Sequence, residues 1–159
     1  MTPNERALLE AIAYSELGEH VIKGSDNGYN VFVGSTPIDI HTFASYATHP
    51  NQKIVVTNAH GSIVSDAAGR YQLMARYFKP YAVLLKLKDF GHDAQDQIAL
   101  QQAKEKGALQ VINSGNFEHA IALCSVIWAS LPGSPYGQHE QNFNYLKSIY
   151  LASGGTITT

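Results

Sequence analysis

The sequence predicts an α+β fold, mostly helical, with a small antiparallel hairpin or sheet inserted early. Three observations carry this. Residues 2–17 and most of the chain from Asp66 onward place apolar side chains at spacings of three and four. Residues 24–40 are instead rich in turn formers around short runs of β-branched and aromatic residues. No segment repeats and none is of low complexity.

The first helix has the clearest start. In Thr2-Pro3-Asn4-Glu5 a capping threonine precedes a proline at the first helical position, with glutamate at the third. Leu8, Leu9 and Ile12 form its apolar stripe, and Gly18 is placed to stop it just after Leu17. Glu16, four residues after Ile12, continues that stripe. Gly24, Asp26, Asn27 and Gly28 then predict a turn, and Tyr29–Val33 a strand. Gly34-Ser35-Thr36-Pro37 reads as a turn, with Ile38–Ile40 as the returning strand of a hairpin. Ile54–Val56 is expected as a third short strand, and Asn58–Ser65 as a loop, of the length that is often functional. The remaining expectations are helical. One helix runs from about Asp66 to the residue before Pro80, a second over Tyr81–Leu87, and a third from about Asp93 to Lys106, stopped by Gly107. Asn116 begins an apolar helix carrying Phe117, Ile121, Cys124 and Trp128, broken by Leu131-Pro132-Gly133-Ser134-Pro135. A last helix spans about Glu140–Ala152 and ends at Gly154-Gly155.

At 159 residues the chain is the size of a single domain, and 45% hydrophobic content excludes general disorder. A net charge of −2 argues against a nucleic-acid partner, because phosphate neutralisation calls for a basic surplus. No apolar run exceeds five residues, so stable membrane insertion is not expected. The charged N-terminus, with Glu5, Arg6 and Glu10, does not read as a signal peptide, which makes the cytoplasm the expected place of synthesis. The single cysteine, Cys124, leaves neither a disulfide nor a cysteine zinc cluster, and its apolar neighbours make it a packing residue rather than a nucleophile.

Among residues that could carry chemistry, Glu16 stands out. Burial on an apolar stripe raises a carboxyl pKa, and a neutral acid near pH 7 can protonate a leaving group. From position alone, an exposed glutamate at a frayed helix end is the more economical reading. Asp26 is a possible second carboxylate for a two-acid glycosidase, although Asp26-Asn27-Gly28 is also simple turn chemistry and that reading is preferred. Glu19 and Asp39 are weaker candidates. The histidines at 20, 41, 49, 60, 92, 119 and 139 show no metal-binding spacing, and most read as surface or capping residues. Tyr29, Tyr46, Tyr71, Tyr77 and Tyr136 fall near loops and strand starts, where aromatic faces could line a carbohydrate groove.

The chain resembles phage endolysins of the lambda-lysozyme type, a family of peptidoglycan lytic transglycosylases. Five segments carry the resemblance in order: Ala13-Tyr14-Ser15-Glu16, Gly28–Gly34, Ala68-Gly69-Arg70-Tyr71-Gln72-Leu73, Ala99-Leu100-Gln101-Gln102 with Lys106-Gly107-Ala108-Leu109, and Ile127–Gly133 with Tyr136-Gly137-Gln138. The resemblance implies one lysozyme-like catalytic domain over residues 1–159. A hairpin lobe, at about 24–65, would border a substrate cleft, with residues 127–138 as its lower lip. It implies that Glu16 is the general acid, that Tyr29, Tyr71, Gln72 and Tyr136 contact substrate, and that no cofactor or metal is needed. The implied activity is cleavage of the β-1,4 bond between N-acetylmuramic acid and N-acetylglucosamine of peptidoglycan glycan strands, leaving a 1,6-anhydro product and lysing the host cell. The enzyme would act as a monomer, accumulate in the host cytoplasm and reach the wall through a holin lesion. Residues 51–65 are the least similar stretch. A hydrolytic lysozyme using Asp26 is the first alternative, and a non-catalytic peptidoglycan-binding module the second.

Overall fold

The computed structural model describes residues 1–58, 61–137 and 139–158. His60 and Gln138, and part of the expected 58–65 loop, lie outside them. The elements in chain order are α1 (Pro3–Lys23), β1 (Ile54–Asn58), β2 (Gly61–Ser65), α2 (Ala75–Leu85), α3 (His92–Glu105), α4 (Ala108–Asn113), α5 (Phe117–Cys124) and α6 (Phe143–Ala152). They fall into two compact units, Met1–Glu16 with Ala99–Thr159, and Leu17–Ile98.

The first unit is helical. At the start of α1 the Glu5 amide donates to Thr2 Oγ1 at 3.1 Å while the Thr2 amide donates to Glu5 Oε2 at 2.8 Å. This is the reciprocal cap expected from Thr2-Pro3-Asn4-Glu5, of a kind that stabilises a helix by about 1 kcal/mol. Ala7, Leu8, Ala11 and Ile12 are fully buried, as are Ile112, Leu131 and Leu146. Phe117 stacks on Tyr150 with ring centroids 4.5 Å apart. The buried Asn4 donates to the Ile112 carbonyl at 3.0 Å and accepts from the Thr156 amide at 2.9 Å. Gly107, at φ 77°, ends α3 where expected, and α4, which the sequence did not suggest, follows at once. Asn116 caps α5 by accepting from the His119 amide, as its position predicts. That helix stops at Cys124, however, short of Trp128: the Ser125 hydroxyl turns back to the Ala122 carbonyl at 2.8 Å, and the chain continues in turns. Cys124 is buried, which pushes its thiol up to about 12 and makes it inert packing. The last helix begins at Phe143 rather than Glu140, because the Asn142 side chain supplies its cap.

The second unit departs further from expectation. Tyr29–Val33 and Ile38–Ile40 do not form a hairpin. Phe32 N–H reaches the His41 carbonyl and Phe43 N–H the Asn30 carbonyl, both at 2.9 Å, so the returning arm is 41–43. Only isolated bridges result, because the Ser35 hydroxyl takes the His41 amide at 3.0 Å and interrupts the ladder. The regular sheet is β1 paired antiparallel with β2, from Ile54–Ser65 to Asn58–Gly61. Ile54–Val56 is thus a strand as expected, but Gly61–Ser65 is its partner rather than loop. The helix expected from Asp66 starts nine residues later, at Ala75. Residues 66–74 are taken by bridges from Ala68 to Phe32 and to Leu73. Met74 is the N-cap residue, and the Asp66 side chain accepts from the Ala75 amide at 3.0 Å. Pro80 lies inside α2 instead of ending it, so the two expected helices are one. The core packs Phe32, Phe43, Ala68, Leu73, Phe90 and Ile98 together.

Gly69 sits at φ 81°, and a Cβ there would come 2.2 Å from Gln95 Oε1. Gly69→Ala therefore combines an unfavourable left-handed backbone with a collision against a buried amide. The expected cost is about 2–4 kcal/mol, and calorimetry is expected to read a fall of roughly 5–15 °C in Tm. A change within about 2 °C would contradict this account of the turn.

Candidate active site

Glu16 occupies the last turn of α1 before the helix breaks at Gly18, whose φ 73° and ψ 159° suit essentially glycine alone. The side chain is half-buried, not freely exposed. Ser130 donates its hydroxyl to Glu16 Oε1 at 2.5 Å, and its backbone amide also donates to the carboxyl. The dominant influence is desolvation by the surrounding protein, which raises the pKa from the ordinary 4.5 to about 7, while both bonds from Ser130 pull it down. The residue is only partly exposed, and enough protein surrounds its carboxyl to make the charge costly. A group poised there is partly protonated at neutral pH and can give or take a proton. Tyr136 belongs to the same unit. It is 56% exposed, and its hydroxyl donates to the Val126 carbonyl at 2.8 Å, which leaves the ring open.

Tyr29, Tyr71 and Gln72 belong to the other unit. Both tyrosines are buried, and both donate their hydroxyls to Asp96 Oδ1, at 2.9 and 2.7 Å. Burial first, then Asp96, raises both hydroxyls above the ordinary phenol range. The Tyr29 ring stacks on His92 at 4.0 Å, and the Arg70 guanidinium lies 5.1 Å from its centroid. Gln72 takes the left-handed conformation at φ 50°, and its Nε2 donates to the Gly69 carbonyl at 2.9 Å. Asp26 is exposed. Its Oδ2 accepts the Tyr46 hydroxyl at 2.6 Å and faces His92 Nε2 at 2.8 Å. The bond from Tyr46, then that from His92, holds its carboxyl below the usual range.

Several residues of these networks carried no local signal. Ser130 lies 114 positions from Glu16, and only the Ile127–Gly133 motif pointed toward it. Gln95 and Asp96 look like ordinary polar residues of α3. His49 is buried, unlike most of the histidines expected at the surface. Its Nδ1 accepts the Asn51 amide at 3.0 Å and its Nε2 meets the Leu73 carbonyl at 2.8 Å, so the neutral ring with the proton on Nε2 fits both.

An α+β chain with a short antiparallel sheet and an acid of raised pKa at a helix end has the lysozyme-like fold. Its backbone matches the lysozyme of bacteriophage lambda complexed with a chitohexasaccharide at a TM-score of 0.89, with 38% identity over 99% of this chain and 98% of that one. A second structure of lysozyme from bacteriophage lambda matches at 0.83 over the same shares. In sequence, the chain is 42% identical over 153 residues to the endolysin of Escherichia phage lambda, covering 96% of this chain and 92% of that protein. It is 36% identical over 155 residues to the endolysin of Escherichia phage P2, covering 96% and 93%. The model of the endolysin family matches residues 6–157. The chain belongs to the endolysin family, and it is an enzyme acting on peptidoglycan.

Glu16 binds its proton more tightly folded than unfolded. Its stabilising contribution is therefore complete below about pH 4.5 and is lost as pH rises through about 7. The full shift corresponds to about 3 kcal/mol, less whatever solvent reaches the half-buried carboxyl. Urea midpoints of wild type and Glu16→Gln, compared from pH 4.5 to 8, are expected to diverge in favour of the variant as pH rises. Parallel curves would mean an ordinary carboxyl. Ser130→Ala removes a bond to the ionised form, so the Glu16 pKa, read by carbon-13 NMR, is expected to move up rather than down.

Proposed function

We propose that this endolysin cleaves the β-1,4 bond between N-acetylmuramic acid and N-acetylglucosamine by internal transfer, with Glu16 as the only acid–base group. The observation that carries this reading is one half-buried carboxyl raised to about 7 and held by Ser130. In the first step Glu16 gives its proton to the glycosidic oxygen as the C1–O bond breaks. Positive charge develops at C1 of the muramic residue, where the substrate's own acetamido oxygen can stabilise it. In the second step the 6-hydroxyl of the same sugar attacks C1, and ionised Glu16 takes the proton that this oxygen loses. The enzyme returns to its starting state and the product is a 1,6-anhydro sugar, with no water consumed. A hydroxyl held near C1 has a high effective concentration, which is how it outcompetes water. One group serving first as acid and then as base is most effective with a pKa near the working pH.

The same proposal assigns glycan contacts to Gln72 and to the open ring of Tyr136, whereas Tyr29 and Tyr71 are buried with their hydroxyls held by Asp96. It places the enzyme, as a monomer, in the host cytoplasm until a holin lesion admits it to the wall. Asp26 is the residue a hydrolytic route would need. Its engagement by Tyr46 and His92 favours a structural part for it instead.

Glu16→Gln is expected to lose wall lysis by at least roughly 100-fold in a turbidity assay while keeping its circular dichroism spectrum. Asp26→Asn is expected to stay within a few-fold of wild type, and mass spectrometry of the digest is expected to find anhydro ends, lighter than hydrolysed ends by one water. Reducing ends together with an inactive Asp26→Asn would establish the hydrolytic lysozyme instead.

A further inference from the structure

Two consecutive residues of α3 grip the same stretch of chain in two different ways. Gln95, almost fully buried, donates through Nε2 to the carbonyls of Tyr29 and Phe90, both at 2.9 Å, and accepts the Arg70 amide on Oε1 at 2.8 Å. Asp96 instead takes the side chains, accepting the hydroxyls of Tyr29 and Tyr71 on Oδ1 at 2.9 and 2.7 Å. Neighbouring positions on a helix point about 100° apart, which is how one reaches backbone and the other the ring ends.

The gripped stretch is a strained turn. Ala68 and Leu73 exchange both backbone hydrogen bonds at 3.0 Å and close a four-residue loop over 69–72. Inside it Gln72 holds φ 50°, a left-handed conformation rare for a residue with a side chain. Such a conformation persists only where its surroundings over-determine it, and it tends to mark places where a ligand is met. The Gln72 amide and Nε2 both turn back to the Gly69 carbonyl, at 3.2 and 2.9 Å, and the residue remains partly exposed. Tyr71 immediately precedes Gln72, so fixing the Tyr71 ring fixes the backbone from which Gln72 projects.

We propose that Asp96 is a positioning residue: by accepting the Tyr29 and Tyr71 hydroxyls it holds the 69–72 turn in the shape in which Gln72 meets the glycan. This rests on the glycan-cleaving reading above. Asp96 touches neither substrate nor reacting atoms. Its removal acts on binding and leaves proton transfer by Glu16 unchanged.

The test compares Asp96→Ala, Asp96→Asn and Tyr71→Phe, with chitohexaose as the binding probe in calorimetric titration and purified peptidoglycan as the substrate. Asp96→Ala is expected to weaken chitohexaose binding and raise KM by about tenfold, a change typical of losing a coupled pair of buried hydrogen bonds. It is expected to leave kcat within about threefold and the midpoint of the pH–rate profile in place. Asp96→Asn keeps an oxygen acceptor and is expected to recover most of the affinity. Tyr71→Phe alone is expected to weaken binding, and to add nothing in the Asp96→Ala background, because both remove the same contact. Should Asp96→Ala not fold, Tyr71→Phe carries the test with Asp96 intact. Unchanged affinity and KM in folded Asp96→Ala or Tyr71→Phe, with only Tm lowered, would overturn the proposal. Wild type that leaves peptidoglycan uncut would overturn the underlying reading as well, and is told apart by the same assay.

Discussion

The surroundings of Glu16 keep one carboxyl where its charge is costly but not prohibitive. Desolvation pushes the Glu16 pKa up, and two donors from Ser130 pull it back, leaving it near 7. Either influence alone would miss that value. Without the bonds the carboxyl would hold its proton to higher pH, and without the burial it would lose it at lower pH. The surrounding unit supplies both. The Thr2–Glu5 cap and the Asn4 bonds secure one end of α1, Gly18 breaks it just beyond the acid, and the turn after α5 brings Ser130 across.

The second unit obeys a different constraint. There a strained four-residue turn is maintained by a polar network rather than by apolar packing alone. A fully buried arginine is part of that network: Arg70 donates to the Asn27 carbonyl and lies over the Tyr29 ring. Buried polar networks of this kind specify local geometry more than they add raw stability. The same logic explains the demand for glycine at position 69, where Gln95 occupies the space a Cβ would need.

What could be read from the sequence follows the range of the interactions involved. The start of α1, the stop at Gly107 and the cap at Asn116 each depend on residues within four positions, and each stands as expected. The segment 66–74 has helical spacing but is not helix, because its partners are not local: Ala68 pairs with Phe32, and Gln95 lies 25 positions from Arg70. Tyr71, Leu73, Met74 and Tyr77 have helical spacing, but only the last lies on α2. Pro80 reads as a boundary in the sequence, whereas α2 tolerates the loss of one hydrogen bond. For Glu16 the stripe on α1 correctly raised the question of burial, but position alone pointed to solvent. The deciding partner is a serine in a distant turn, and only motif order, not spacing, reached that far.

The units also differ in how they are written along the chain, and this bears on the order of events during synthesis. Residues 17–98 are continuous, while the helical unit combines residues 1–16 with residues 99–159. A ribosome therefore releases the whole of the former before most of the latter exists. The first sixteen residues, including the acid, must wait for their partners, and Ser130 comes 114 positions after Glu16. The nascent chain can assemble the Glu16–Ser130 pair only as its final third emerges, so this contact is a late product of translation.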